Sequence, residues 1–433
     1  NHTLVLADDI TVYKSCGEAK VHYTTGHLSK SHVSTWQGGL SLAPGSYQSV
    51  GYDFTQPSKY PDGEHKNPEL PTQSQAQVFE YQGEAETHPR AANLAAVQLE
   101  ALQRDMKLCS GKSDCRSFSV GKLFSFEKHE DPRLVGKTFA ITSMMTSITV
   151  PNQSGANQSL VNEVYANHFE CVPKDVAYRA QVRHLKPVIN GVQTAIVTGD
   201  SGDEILVDQY GRVKVQFDWD REGKKDSKSS CWIRVAQNWA GKKWGAFFFP
   251  RVGQEVLVDF INGDPDQPII SGAVYNADLM PPYDLPADKT QSGIKTRSTT
   301  KGGADNFNEL RFEDKKGSEL VYLQAEKDKE LYVKNDQKDK IDNNRSSEIV
   351  KNDDVKVGEN RTSDIGKNDT LKVGKTLNIE AGDEVVIKTG SAQIKMASSG
   401  NITIEGTKID IKGTQIKVDG SAITMSAGVI KLN

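Results

Sequence analysis

Few residues of this 433-residue chain stand in patterns that could support catalysis. The stretch GDSGD at 199–203 places a serine among glycines and acidic residues, as some serine hydrolases do. A serine triad also needs a histidine and an aspartate close to the serine, but no histidine follows His184. The pattern therefore favours a turn that connects two strands.

Two further motifs could bind a metal or exchange electrons. Asp264 and Asp266, in GDPDQP, offer carboxylates to a cation, but the intervening proline favours a tight turn. Cys109 and Cys115 flank SGKSD, and because this spacing is not CxxC we interpret the segment as a loop rather than a redox pair. We predict no catalytic residue, no cofactor and no metal ligand.

A third set of residues could form a nucleic-acid-binding face. The set combines charged residues with aromatic side chains that could stack on bases: Arg234, Arg251, Glu255, Asp259, Trp232, Trp239, Trp244 and the run FFF at 247–249. Nucleic-acid binding normally comes with a basic excess, whereas the net charge here is −4. We therefore predict a barrel core with ion pairs at a subunit contact, and no nucleic-acid partner.

The cysteines and the chain start bear on where the protein is made. The five cysteines are scattered and odd in number, which suggests synthesis in a reducing cytoplasm. No apolar run is long enough to span a membrane. HTLVLADDI, directly after Asn1, resembles a strand rather than a signal peptide. We expect that the chain begins inside a domain whose front half is missing.

The first two domains are predicted to be rich in β-structure. Residues 1–187 form a hub domain with strand-like stretches such as HTLVLAD and KTFAITSMMTSITV, and one helix over 89–106. Ala95, Leu99, Leu102 and Met106 give that helix one apolar stripe. Residues 188–280 contain five short alternating strands, which predict a small barrel such as an OB-fold. Residues 281–320 have the composition of a neck.

Residues 321–433 are predicted to form a needle built on a repeat of eight. No aromatic residue follows Tyr332, which is unusual for a globular domain. Five corner glycines fall at every eighth residue: Gly358, Gly366, Gly374, Gly382 and Gly390. Because strand side chains alternate between two faces, an even repeat keeps each position on one face. The sixth octad position, counted from Leu323, is Asp or Asn from Asp328 to Asn368, and we predict a corner there too.

Near Ser398 the period changes to seven, which predicts tighter turns and a shaft that tapers towards the C-terminus. The first and third repeat positions supply the predicted axis core: Leu323, Leu331, Val333, Ile341, Ile349, Val355, Val357, Ile365, Leu371, Val373, Ile379, Ile387, Ile402, Ile404, Ile409, Ile411, Ile416, Val418, Ile423 and Ile430.

Two apolar positions in eight are too few for one chain to close a core. Three interwound chains would line a triangular β-helix with these residues, and would also remove exposed strand edges. A single-chain β-solenoid and a disordered polar tail remain as alternatives. The fold class is therefore mainly β: a partial hub with one helix, a small OB-fold barrel and a trimeric triangular β-helix needle.

The barrel and its flanks closely resemble the VgrG (valine-glycine repeat) spike proteins of bacterial type VI secretion. The resemblance is carried by YGRVKVQFDWDREGKKD at 210–226, SSCWIRVAQNWAGKKWG at 229–245, PRVGQEVLVDFINGDPDQPIISGAVYNA at 250–277, GIKTRST at 293–299 and the VKVG and LKVG repeats. It implies a homotrimer like the hub and spike of contractile phage tails, with about half of the hub missing before Asn1. Some family members carry an enzymatic domain after the needle, whereas this chain ends in needle-type sequence.

The resemblance also implies partners and a location. The hub would sit on the Hcp tube ring, and a PAAR-type tip protein would bind the C-terminal end at Ile430, Lys431, Leu432 and Asn433. Effectors and their adaptors would be cargo, with transient contact to the target membrane. The protein would assemble in the bacterial cytoplasm and then be secreted. The alternatives are a phage-tail or tailocin spike, and an OB-fold binding module on a fibrous stalk. The needle contains no histidine that could bind iron at its tip.

Overall fold

The computed structural model describes residues 4–26, 28–68, 76–84, 88–149, 165–180 and 184–430. The chain divides into two compact units, Asn1–Leu331 and Tyr332–Asn433. No helix in the described ranges is long and apolar enough to cross a membrane.

The hub region contains nine of the described strands and one helix. They are β1 (Lys14–Tyr23), β2 (His32–Gly38), β3 (Ser46–Tyr52), β4 (Asp62–Lys66), β5 (Gln77–Glu84), α1 (His88–Gln103), β6 (Cys109–Ser113), β7 (Lys122–Lys128), β8 (Thr138–Ile148) and β9 (Tyr165–Pro173). Six strands close a barrel in the order β1-β2-β6-β9-β8-β7. Its interior is aromatic, because alternate strand residues point inward and these include Phe124, Phe126, Phe139 and Phe169.

The helix covers the other hub sheet, in which the order is β4-β3-β5. Ala91, Ala95 and Leu99 are almost fully buried, at steps of four residues along α1. The predicted helix is confirmed, but it ends at Gln103, so Met106 lies beyond it. Leu102 is 45% exposed, and the buried stripe therefore begins one turn earlier than predicted. The backbone of Ala92 lies so close to Gly63 of β4 that any side chain there would clash.

HTLVLAD is not a strand within its described residues 4–8, where Leu4, Val5 and Leu6 are largely exposed. KTFAITSMMTSITV does form a strand, β8.

The small barrel forms around one five-stranded sheet in the order β11-β10-β15-β16-β12. The strands are β10 (Gln193–Thr198), β11 (Lys214–Phe217), β12 (Arg234–Val235), β15 (Glu255–Phe260) and β16 (Pro268–Val274). Val213 and Ile233 exchange backbone hydrogen bonds of 3.0 and 2.8 Å, which links the two ends of the sheet. The core is small and β-branched, with Val197, Val215, Val256 and Val258 at most 1% exposed.

Phe54, from the loop after β3, connects the hub to the small barrel. Its ring centre lies 5.2 Å from the guanidinium carbon of Arg212 and 4.9 Å from that of Arg234. Tyr210 packs edge-on against the same ring at 5.2 Å. Two cations over one aromatic ring stabilise this contact by cation–π attraction.

The predicted neck is a folded sheet. β17 (Gln291–Lys295) and β18 (Glu309–Glu313) form a three-stranded antiparallel sheet with β19 (Leu320–Gln324). The composition of 281–320 suggested a linker because turn residues surround these short strands.

Between β12 and β15, a separate hairpin joins β13 (Trp239–Gly241) to β14 (Trp244–Ala246).

The second unit contains a further antiparallel sheet in the order β20-β21-β22. Its strands are β20 (Glu384–Thr389), β21 (Ala392–Ala397) and β22 (Ile402–Glu405).

Candidate trimer interface

The second unit has no core of its own. None of residues 332–430 is buried. The predicted axis residues have exposed fractions from 42% at Val333 to 72% at Leu371. Such a long, regular row of exposed aliphatic side chains is the kind of surface that proteins cover with a partner.

The backbone repeats with the period of the sequence. Between residues 326 and 383 it bends at pairs of residues that begin at 326, 334, 342, 350, 358, 366, 374 and 382. These are the fourth and fifth positions of each octad counted from Leu323. The segments between two bends are neither helix nor part of a strand ladder, and extended backbone there would place the first and third positions on one side. The predicted corners are therefore present with the predicted period, whereas no strand forms between residues 325 and 383 within this single chain, so the predicted short strands are absent there.

The corner differs from the prediction in one respect. The Asp or Asn at the sixth position, such as Asn360, follows directly after the bend at 358–359 and is not part of it. Gly358, Gly366, Gly374 and Gly382 occupy the corner, but none has the left-handed backbone that only glycine adopts easily. This explains why Asp342 and Val350 fill the same corner in earlier octads.

Beyond the sheet of β20 to β22 the bends follow the seven-residue period. They fall at 407, 414, 421 and 428, always two residues before an isoleucine of the row. The two apolar residues that follow each of these bends differ in exposure, and the residue nearer to the bend is the less exposed one. Ile409 and Ile416 are 49% and 53% exposed, whereas Ile411 and Val418 are 70% and 66% exposed.

The sheet of β20 to β22 separates the two periods and has one apolar face. Ile387 lies opposite Ile394, which lies opposite Ile404, and Val385, Met396 and Ile402 form a second cross-strand row. Side chains two residues apart share a face, so both rows line the same side. Ile394 and Met396 are 40% exposed, and the repeat count missed both.

Gly390 is not a corner of the octad series. It forms the two-residue turn between β20 and β21 with Ser391, and its φ is +54°. A hairpin with a two-residue loop favours such a left-handed residue, which is why glycine is needed here. The local alternation in EVVIKT and AQIKMA was the signal for this hairpin.

The opposite face of this sheet is mainly polar, although Val386 also lies on it, opposite Lys395. Lys395 pairs with Glu384 at 2.5 Å, and Gln393 donates a hydrogen bond of 2.7 Å to Glu405. Both pairs are solvent-exposed, so they contribute little stability and mainly mark the outer side. At the C-terminal end, Ile430 is 50% exposed, while Lys431, Leu432 and Asn433 lie outside the described residues.

The predicted turns in the small barrel are confirmed. Residues 199–203 form a turn in which the Asp203 N–H donates to the Asp200 carbonyl at 3.0 Å.

Lys186 Nζ lies 2.6 Å from an Asp264 carboxylate oxygen and 2.8 Å from one of Asp266. Burial raises the pKa of Asp264, but hydrogen bonds from Lys186 and the Asp266 N–H outweigh this and lower it. An ammonium group thus occupies the place a cation would take. No cluster of metal-binding side chains occurs in the described part of the chain.

Two other sequence interpretations were wrong. The segment between Cys109 and Cys115 is not a loop, because residues 109–113 form β6 of the hub barrel. The aromatic residues Trp239, Trp244, Phe247 and Phe248 are not barrel core, since each is more than half exposed. Trp239 and Trp244 belong to the β13–β14 hairpin, and their rings meet edge to face at 5.0 Å.

Of the charged residues predicted beside them, Arg234 lies on β12, Glu255 and Asp259 lie on β15, and Arg251 is outside the strands.

Three protein-family models match successive parts of the chain. Residues 1–152 match the phage tail baseplate hub (GPD) family. Residues 193–275 match the type VI secretion system/phage-baseplate injector OB domain, which confirms the OB-fold. Residues 292–405 match the bacteriophage T4 gp5 C-terminal trimerisation domain, the region that contains the octads and the sheet of β20 to β22.

Individual relatives agree with these matches. The chain is 37% identical over 345 residues to the type VI secretion system spike protein VgrG1a of Pseudomonas aeruginosa, covering 77% of this chain and 52% of that protein. It is 36% identical over 360 residues to VgrG1c of the same species, covering 80% and 48%. The actin cross-linking toxin VgrG1 of Vibrio cholerae is 34% identical over 306 residues, covering 71% and 27%.

Solved structures include distant neighbours. One is an Escherichia coli component of the type VI secretion system, with a TM-score of 0.33 and 17% identity, covering 60% of this chain and 51% of that one. Another is the Francisella PdpA-VgrG complex in its lidded form, with a TM-score of 0.38 and 10% identity, covering 69% and 48%.

The hub barrel, the OB-fold and the trimerisation repeat together define a hub-and-spike protein of the contractile-tail type. The chain is homologous to the VgrG spike proteins of type VI secretion over most of its length, and it spans about half the length of the Pseudomonas relatives.

Proposed function

We propose that this chain is a structural, non-enzymatic spike protein of a type VI secretion system. Three copies cap the Hcp tube with their hubs, puncture the target envelope with the needle and deliver effectors. The observation that carries the proposal is the row of exposed aliphatic residues, in step with bends every eight and then seven residues, in a unit without a buried residue among 332–430.

The backbone adds a second argument for three interwound chains. Residues 325–383 form no strand ladder within the chain. Extended backbone leaves its N–H and C=O groups unpaired unless a neighbouring strand or water takes them up. Neighbouring chains satisfy these groups and cover the apolar row at the same time. A shaft paired between chains transmits an axial force without needing any one chain to be stable alone.

The two ends of the trimer take different partners in this proposal. The hub end docks on the Hcp ring, and the C-terminal end, residues 430–433, receives a PAAR-type tip protein. Effectors and their adaptors travel with the spike, which contacts the target membrane only in transit. The spike assembles in the cytoplasm and is then translocated. The relatives named as type VI secretion spike proteins support this assignment.

Secretion in the bacterium that encodes the protein tests the proposal. In the proposed system, the tube protein is released into the medium when the system fires, and the spike that caps the tube is needed for this release. Leu371→Asp places a charge on the axis side of an octad, and Lys372→Asp changes the next residue, which faces the other side. A deletion strain complemented with the Leu371 variant should release at least tenfold less tube protein, and the Lys372 variant should release normal amounts. Equal release from all strains, including the deletion, overturns the proposal.

A phage-tail or tailocin spike is the second candidate, because two of the matched families are described as phage baseplate components. The mechanics are the same, but the spike stays on a particle. Under this alternative, induced cultures contain the chain in sedimenting tail particles whether or not a type VI tube gene is present. Under the proposed function, its release disappears when that gene is deleted.

A further inference from the structure

Four of the five cysteines gather in the core of the hub barrel, although they are scattered in the sequence. Cys16, Cys109, Cys115 and Cys171 all belong to one buried cluster, whereas Cys231 is exposed in the small barrel. All five are free thiols. Their arrangement has no part in the proposed spike mechanism, so it needs an explanation of its own.

Cys109 and Cys171 have the geometry of a cross-strand pair. Cys109 is the first residue of β6 and lies directly opposite Cys171 of β9 in an antiparallel ladder. Directly opposed residues of such a ladder have Cα atoms about 4.5–5.5 Å apart, within the range of about 4.4–6.8 Å that disulfides span. Both side chains belong to the buried core cluster of the barrel, and the Cys109 thiol donates a hydrogen bond of 3.8 Å to the Lys107 carbonyl.

The two thiols differ in reactivity. The hydrogen bond from Cys171 lowers the pKa of Cys109, against the opposing effect of burial and with help from the Gly39 N–H. Burial raises the pKa of Cys171 well above its usual value. Cys109 is 8% exposed, at the start of its strand, and Cys171 is fully buried. Of the two sulfurs, Cys109 has the lower pKa and the greater exposure, so it is the one we expect a disulfide reagent to reach first.

We propose that Cys109 and Cys171 are a disulfide-forming site that reacts with small-molecule disulfides such as oxidised glutathione. The Cys109 thiolate attacks one glutathione sulfur, forms a mixed disulfide and releases a glutathione thiolate. Cys171 then loses its proton and attacks the Cys109 sulfur, displacing the second glutathione as a thiolate. Both thiolates take up protons, so one glutathione disulfide is reduced to two thiols while the protein dithiol is oxidised. The product ties β6 to β9.

The other two core cysteines provide a matched control. Cys16 lies on β1 and Cys115 follows β6, and these strands are not neighbours in the barrel. Burial raises the pKa of Cys115 to about 12, so it is almost entirely a thiol at neutral pH. Cys16 and Cys115 are buried in the same core as the proposed pair, but they do not lie opposite each other on neighbouring strands. The proposal predicts that they stay reduced.

The test uses the purified full chain, reduced and then treated with oxidised glutathione. Alkylation in denaturant with a mass measurement should show two of the five thiols lost without any added glutathione mass, whereas glutathione on the exposed Cys231 adds its own mass and is counted separately. Peptide mapping should find Cys109 linked to Cys171. In Cys171→Ala, glutathione should accumulate on Cys109, whereas in Cys109→Ala it should not accumulate on Cys171. Cys115→Ala should form the linkage like the wild type.

Three outcomes overturn the proposal: no paired loss of thiols without added glutathione mass in the wild type, a linkage that joins Cys16 to Cys115, or glutathione that enters first on Cys171. The wild-type thiol count needs no substitution, so it stands even if a variant folds poorly. The result is independent of spike function, because it is read on the purified protein without tube, tip or target cell.

Discussion

Val350 and Gly358 occupy the same corner of successive octads, and neither has a left-handed backbone. The glycines of the valine-glycine repeat are therefore not required by the corner conformation of this chain. A corner that accepts valine has room for a Cβ atom, and no atom lies within 4 Å of the position a Cβ would take at Gly358 or Gly366.

The first prediction contrasts two glycines of the repeat region. Gly366→Ala should leave the trimer as stable as the wild type or raise its stability by up to about 1 kcal/mol per chain, because alanine restricts the unfolded chain. Gly390→Ala should lower it by about 1 kcal/mol per chain, because φ is +54° in the hairpin turn. Thermal unfolding of both trimers measures this. Equal losses at the two sites would show that glycine is needed at the octad corner for close approach of a neighbouring chain.

The second prediction concerns the apolar face of the β20–β22 sheet. Ile394→Ser should cost about 3 kcal/mol per chain, since it removes buried aliphatic surface and buries a hydroxyl once three chains meet. Lys388→Ser changes the polar face of the same sheet and is the control. Native mass spectrometry over a dilution series should show the Ile394 variant dissociating at concentrations where the control stays trimeric. Identical dissociation of both variants would place the contact elsewhere.

The third prediction tests the link between hub and small barrel. Phe54→Ala removes an aromatic ring that two guanidinium groups share, at a cost of about 1–2 kcal/mol. Calorimetry should then show the hub and the small barrel unfolding at separate temperatures, where the wild type shows one joint transition. Phe79→Ala, at a ring that is 62% exposed on β5, should leave the joint transition in place. Two resolved transitions in the wild type contradict this role of Phe54.

The fourth prediction concerns acid stability of the hub. Glu18 accepts hydrogen bonds from the Ser117 hydroxyl at 2.5 Å and the Ser117 N–H at 2.8 Å. Burial raises the pKa of Glu18, but these bonds outweigh it and lower the pKa below the usual 4.5. Because the folded pKa is the lower one, the stabilisation is present above pH 4.5 and is lost as the pH falls through the folded pKa.

Thermal unfolding from pH 6 down to about pH 3 should therefore decline more steeply for the wild type than for Glu18→Gln, whose amide does not titrate. Glu130→Gln, at an exposed position after β7, should follow the wild type. Parallel curves for wild type and Glu18→Gln rule out this carboxylate as the cause.

The parts of the fold that the sequence predicted best are those with a strict period. The octads, the heptads and α1 follow from spacing alone, because burial on one side imposes a period that spacing preserves. The hairpin at Gly390 was missed because its glycine also fits the count of eight, and a count cannot distinguish a corner from a hairpin turn. Because the hairpin was missed, Ile394 and Met396 were also left out of the predicted apolar row.

Other errors arose where burial depends on contacts that spacing does not encode. Trp239 and Trp244 have the composition of a core, but their short hairpin lies outside the barrel and leaves them exposed. Cys109 and Cys171 are 62 positions apart (171 − 109), and only the antiparallel register of β6 and β9 brings them together. Leu102 lies on the predicted apolar stripe, yet it is 45% exposed, because the buried side of α1 follows steps of four residues through Ala91, Ala95 and Leu99.

The sheet of β20 to β22 also solves a problem of alignment. An octad row matches itself after a shift of eight residues, so three chains could pair one repeat out of step and still cover most apolar positions. The sheets of β17 to β19 and β20 to β22 flank the row along the sequence, and neither repeats every eight residues. If one chain were shifted by an octad, one of its folded sheets would lie beside the octad segments of the neighbouring chains. In the proposed trimer, the two non-repeating sheets would therefore restrict the three chains to a single register.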